Sequence, residues 1–135
     1  MILGIGNDLI DINRVRKLMA RFEARFIERC FTVHEREVAE ARRGGGGHIA
    51  AYAKRFAAKE AVAKALGSGF SGGITMKDIG VVTDEKGAPQ IQLSGAAQKR
   101  LAAITPDGHE THIHLALSDE PPLAQAFVII EARSA

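Results

Sequence analysis

Between His48 and Leu66 the chain is rich in alanine and free of glycine and proline. Alanine is the strongest helix former, so this stretch must be a long helix, about five turns. At about 100° per residue, Ile49, Tyr52, Ala53, Phe56 and Ala63 fall on one face. Glu60 falls in the middle of that face, one turn after Phe56. The N-terminal stretch shows the other period. Ile2 to Ile12 alternates as a strand, with Ile2, Gly4, Gly6, Asp8, Ile10 and Ile12 on one face. An acid therefore interrupts an apolar pattern twice, once on a strand and once on a helix.

An unpaired buried carboxylate costs several kcal/mol in desolvation, so each acid needs a cation, strong donors or local water. If the strand packs on the helix, Asp8 and Glu60 converge. Two carboxylates with room for water and phosphate oxygens suit Mg²⁺. That ion can bridge diphosphate oxygens and neutralise charge on a leaving phosphate. The alternative is two structural ion pairs, with Glu60 meeting Lys64 at i+4. Lys64 flanks Glu60, and a lysine beside a metal-bound diphosphate stabilises charge on the bridging oxygen. Lys59 swings about 100° away from Glu60. The alternative for any such helical lysine is a solvated side chain.

The remaining pattern mixes helices and strands without strict alternation, which points to an α+β fold. Arg14 to Phe26 carries an apolar stripe of Val15, Leu18, Met19, Phe22 and Phe26. Thr32 and Glu35 make a capping box for a short helix ending near Arg42. Gly44 to Gly47 is a glycine loop, and Gly67 to Gly73 a glycine-rich turn. Strands are expected over 78–83, 90–93, 111–117 and 123–131, and a helix over 95–104. No repeat or linker appears, so residues 1–135 read as one domain. Lys and Arg total 18 against 16 Asp and Glu, a net charge of +2, which argues against bulk nucleic-acid binding. The only cysteine, Cys30, cannot form an internal disulfide and fits a reducing compartment. No stretch has the apolar length of a membrane span, and Asp8 breaks the N-terminal run too early for a signal peptide. A soluble cytoplasmic protein is expected, with no membrane or nucleic-acid partner.

Longer motifs carry a resemblance. Gly4-Ile-Gly-Asn-Asp8 followed by Arg14 is similar to the opening of the bacterial holo-acyl-carrier-protein synthases, magnesium-dependent 4′-phosphopantetheinyl transferases. Arg55-Phe-Ala-Ala-Lys-Glu-Ala61, then Lys64-Ala-Leu-Gly67, resembles that family's most specific motif. Gly67-Ser-Gly69, Asp78-Ile79, Gly87, Pro89, His114, Ser118-Asp-Glu120 and Ala124 to Glu131 fit the rest, so nearly the whole chain is covered. The resemblance implies a small unit with a long helix packed on an antiparallel sheet. It implies transfer of 4′-phosphopantetheine from coenzyme A to a serine of apo acyl carrier protein, in fatty acid biosynthesis. Asp8 and Glu60 would hold Mg²⁺, and Glu60 would help deprotonate the serine. Lys64 would contact the coenzyme A diphosphate. Arg55 and His114 would lie along the nucleotide, Ser68 near its phosphates, and the Gly87-to-Pro89 turn against the adenine. His112 competes with His114 for its role. Members form homotrimers with active sites at subunit interfaces.

Arg14, Lys17, Arg21 and Arg25 form a basic stripe beside the apolar one. The resemblance makes it a docking face for the acidic carrier protein, with Arg14 matching the family's carrier-binding arginine. Taken alone, the stripe reads as a solvated polar face. Two other functions fit the same residues: a magnesium-dependent nucleotide hydrolase using the two acids, and a non-catalytic module that binds acidic proteins. Gly4-x-Gly6 lacks the third glycine of a dinucleotide fingerprint, and Gly67 to Gly73 follows a helix instead of opening one, so it is no P-loop. His109, His112 and His114 have no nearby cysteine to support a zinc site.

Overall fold

In the computed structural model, which describes residues Met1–Ala135, the alanine-rich segment is helix α3, His48–Ala65. Before it come strand β1 (Ile2–Asp11), helix α1 (Ile12–Cys30) and helix α2 (Val33–Glu40). After it come the hairpin strands β2 (Ile79–Thr83) and β3 (Pro89–Leu93), helix α4 (Gly95–Ile104), and the long strands β4 (His109–Glu120) and β5 (Leu123–Ser134). A three-stranded antiparallel sheet runs in the order β1-β5-β4, and β2 pairs with β3 separately. The fold is therefore α+β, with the long helix lying on the antiparallel sheet.

Alternation along β5 decides which face is covered. Ala124, Ala126, Val128, Ile130 and Ala132 point at α3 and are buried. The small β5 side chains let α3 approach closely. On β1 the approach is closer still. A Cβ on Gly4 would fall on the Ala65 carbonyl oxygen, and one on Gly6 on the Ala61 carbonyl oxygen. Only glycine fits at those two positions.

The expectation of a single apolar face on α3 is corrected. Its buried residues include Ala51, Arg55, Ala57, Lys59, Val62 and Ala65, so the helix is enclosed on most sides. Phe56, Phe26, Phe31 and Tyr52 close one end, each ring centroid 4.7–5.9 Å from the next in that order. The capping box at Thr32 forms as expected: Thr32 N–H donates to Glu35 at 2.8 Å, and Glu35 N–H to Thr32 at 3.3 Å.

Two further expectations change. Phe22 leaves the core and is 40 % exposed, because α1 kinks there, with φ −136° and ψ 33°. Ile2 leaves the inward face of β1, because the pairing with β5 slips between Ile2 and Gly4. The outward face of the sheet carries Ile2, Ile5, Leu9, Leu123 and Phe127, all exposed, and no element of this chain covers it.

Candidate functional site

β1 runs antiparallel to α3. Two strand residues advance about 6.7 Å and four helix residues about 6 Å, so Gly4 and Gly6 keep step with Ala65 and Ala61. Continuing that register brings Asp8 level with Ala57, about one turn from Glu60, and the long Lys64 side chain reaches back to it. The Lys64 ammonium lies 3.1 Å from Asp8 Oδ1 and donates to the Asn7 carbonyl at 3.0 Å. Glu60 is partly buried, and its carboxyl is pushed up chiefly by that burial and then by the Asp8 charge. Lys64 and Arg14 oppose the rise.

The Asp8 charge acts on Glu60, so the two acids lie near each other. The alternative of a Glu60–Lys64 ion pair is corrected, since Lys64 bonds to Asp8. No third His, Cys, Asp or Glu gathers with them. Two carboxylates and a nearby carbonyl leave most positions of a hard divalent cation open to water and substrate oxygens, which fits Mg²⁺. The three histidines of β4 likewise form no metal cluster.

Lys59 is not solvated, contrary to the simplest reading of a helical lysine. It is fully buried, 2.7 Å from Glu35 Oε1, and donates to the carbonyls of Ile79 at 2.6 Å and Met76 at 3.0 Å. Glu35 Oε2 accepts from Val81 N–H at 2.6 Å. The pair ties α2, α3 and β2 together immediately beside Glu60. The capping role of Glu35 was legible from Thr32-x-x-Glu35, but its cross-fold partner left no local signal.

Arg55 is only 5 % exposed; one nitrogen donates to the Ala51 carbonyl at 3.1 Å, and Nε has no partner. Burial lowers its pKa, and Arg42 lowers it further. Arg43 is engaged with Glu23 and Glu40, each at 2.7 Å.

Pro89, His112 and His114 line one cavity of about 640 Å³ along the free edge of β4. His114 lies 2.9 Å from Glu131, whose carboxyl His114 and Arg133 hold down at about 2. Gly87, at φ +80°, closes the turn that leads into Pro89. His114 stands opposite Ile129 on the outward face of the sheet, whereas Asp8 stands opposite Ala126 on the inward face. Within one chain the two groups of residues do not meet.

Ser68 donates to the Gly69 carbonyl at 3.1 Å, beside a second cavity of about 380 Å³ next to α4. Arg14, Lys17, Arg21 and Arg25 are all exposed along α1. The kink at Phe22 opens a groove of about 280 Å³ lined by Leu18, Phe22, Arg25, Phe26 and Arg29 and floored by Cys30. The periodicity of α1 gave no sign of this groove, because a kink without proline or glycine has no sequence marker.

Comparison with known proteins gives a consistent result. The family model of the 4′-phosphopantetheinyl transferase superfamily matches residues 4–124. A holo-[acyl-carrier-protein] synthase of Rhizobium rhizogenes is 56% identical over 132 residues, covering 98% of this chain and 96% of the relative. One of Erythrobacter litoralis is 55% identical over 132 residues, covering 98% of each. The crystal structure of the Neisseria meningitidis holo-[acyl-carrier-protein] synthase superposes with a TM-score of 0.81 at 35% identity, covering 97% of this chain and 99% of that one. The Helicobacter pylori synthase in complex with coenzyme A gives 0.77 at 27% identity, covering 94% and 99%.

Proposed function

The chain belongs to the 4′-phosphopantetheinyl transferase superfamily, and from that membership we propose that it transfers 4′-phosphopantetheine from coenzyme A to apo acyl carrier protein. The observation that carries the reading is the Lys64–Asp8 contact at 3.1 Å where β1 packs on α3, with Glu60 close enough to sense both charges.

The acceptor is a carrier serine. Its hydroxyl oxygen bonds to the phosphorus that bears the pantetheine. The bond from that phosphorus to the bridging oxygen breaks, and adenosine 3′,5′-bisphosphate leaves with the electron pair. Glu60, directly or through a water, takes the serine proton. Lys64 exchanges Asp8 for the leaving diphosphate oxygens and stabilises the charge that develops there. Asp8 and Glu60 would hold Mg²⁺, which supplies charge neutralisation on the diphosphate. Gly4 and Gly6 keep both acids in place, so much of the catalysis is positioning.

His114, Arg55, Gly87 and Pro89 take the nucleotide, and Ser68 a phosphate. His114 faces away from Asp8, so a complete site needs a second copy of the chain. The bare outward sheet face offers the contact surface, and a homotrimer with interfacial sites joins the two half-sites. The stripe of Arg14, Lys17, Arg21 and Arg25 docks the acidic carrier protein. The reaction belongs to fatty acid biosynthesis, in the cytoplasm, where the unpaired Cys30 stays reduced.

Mass spectrometry of apo acyl carrier protein, incubated with coenzyme A, Mg²⁺ and this protein, tests the reading. The phosphopantetheine mass is expected with the wild type and absent with Asp8→Ala or Glu60→Ala. An unmodified carrier under these conditions overturns the proposal. Charge reversal at Arg14 and Arg21 is expected to raise the carrier KM several-fold, most strongly at low salt, while coenzyme A binding stays unchanged.

A further inference from the structure

We propose that the cavity between the 67–73 turn and α4 is a phosphate-binding subsite in which Arg100 and Lys99 take a phosphate group of the nucleotide substrate. The inference rests on the coenzyme A reading and adds two residues to it.

Arg100 is half-buried and oriented. Its Nε donates to the Leu66 carbonyl at 2.9 Å, at the C-terminal end of α3. That bond uses one of five guanidinium donors and fixes the plane of the rest. Here neither Arg100 nor Lys99 has a carboxylate within ion-pair distance, although eight such pairs form elsewhere in the chain. The cavity lining holds both cations and the two hydroxyls of Ser68 and Ser71, with no acidic side chain. Ser71 Oγ donates to the Ser68 carbonyl at 2.6 Å, which folds the turn onto itself.

The backbone of this turn adds donors. The N–H groups of Gly67, Gly69 and Ser71 bond to carbonyls of the chain. Those of Ser68, Phe70 and Gly72 have no such acceptor and remain free for an anion. Glycines at positive φ (Gly67, Gly69, Gly72 and Gly73) are what let the chain turn this tightly.

Position ties the cavity to the reaction. Lys64 lies in the last turn of α3, and the 67–73 turn and the Arg100 bond to the Leu66 carbonyl sit at that same helix end. The cavity therefore adjoins the end of α3 that carries Lys64. Coenzyme A carries a diphosphate and a 3′-phosphate, more negative charge than Lys64 alone can match. A rigid guanidinium beside a mobile ammonium and two hydroxyls suits a phosphate better than a planar carboxylate.

The test measures equilibrium binding of coenzyme A, and of adenosine 3′,5′-bisphosphate, to the wild type, Arg100→Gln and Lys99→Gln, together with carrier KM and wild-type carrier modification. Arg100→Gln is expected to weaken coenzyme A binding about tenfold, and Lys99→Gln a few-fold, with carrier KM unchanged. If adenosine 3′,5′-bisphosphate shows the same loss, the bound phosphate is one that leaves with the product. If only coenzyme A shows it, the bound phosphate is the transferred one. Lys99 is exposed and makes no bond, so its substitution reports even if Arg100→Gln disturbs the turn. Coenzyme A binding within twofold of wild type in both variants overturns the subsite. So does a rise in carrier KM with unchanged coenzyme A binding, which would assign the cavity to an acidic carrier residue. A wild type that leaves the carrier unmodified instead overturns the transferase reading itself.

Discussion

Glu60 is kept in an unfavourable state. Its folded pKa lies above the ordinary glutamate value because of burial first and Asp8 second. At acidic pH, below the ordinary carboxylate range, Glu60 is protonated in both states and costs nothing. As pH rises through its raised folded pKa, the folded protein must ionise a group that resists ionisation, and stability is lost. Glu60→Gln is therefore expected to raise the melting temperature at neutral pH and above by a few degrees. That gain should vanish toward about pH 4. Thermal unfolding across pH, without divalent metal, checks this; a lower melting temperature for Glu60→Gln at neutral pH would contradict it. Lys59 obeys the opposite logic. Its lowered pKa comes from burial, and Glu35 and two carbonyls compensate the charge. Lys59→Met strands Glu35 in the core and is expected to cost about 3–5 kcal/mol in denaturant unfolding. Replacing both Lys59 and Glu35 with methionine should recover part of that loss. Asp8, Glu60 and Lys64 could be picked out from the chain alone, because each breaks or flanks an apolar period. The Lys59–Glu35 pair could not, since its partners are 24 residues apart and meet only through packing.

Among the elements, the contact of β1 with α3 sets the geometry of the site. Gly4 and Gly6 read as ordinary inward strand positions; their contact with the Ala65 and Ala61 carbonyls appears only when helix and strand are stacked. Gly6→Ala places a methyl on a helix carbonyl and is expected to cost about 1–3 kcal/mol. The larger effect should be on turnover. Pushing β1 off α3 separates Asp8 from Glu60, and a displacement near 1 Å can lower the rate about a hundredfold. Carrier modification measured well below the unfolding temperature, beside denaturant curves, separates the two effects. Normal turnover in a folded Gly6→Ala protein would sever this link between the strand contact and the site. The basic stripe of α1 was legible, whereas the groove between its two halves depends on the backbone at Phe22.

For the whole molecule, the sheet divides the residues proposed for the site. Asp8 and Glu60 lie on its covered side, and His114 on its bare side with Ile5, Leu9 and Phe127. Phe127→Glu puts a charge into that apolar face. On the proposed shared-site arrangement it is expected to yield folded single chains in sedimentation and to abolish carrier modification. Full activity from a monomeric Phe127→Glu protein would refute the shared-site arrangement. The sequence by itself determined the two periodicities, the helix and strand identities, the capping box and the misplaced acids. Those are local properties, set by backbone propensity and by the cost of burying charge. Only the tertiary structure decided that Lys64 meets Asp8, that Lys59 is buried, that α1 bends, and that His114 faces away from Glu60. Each of these depends on distant segments sharing space, which no spacing along one chain encodes.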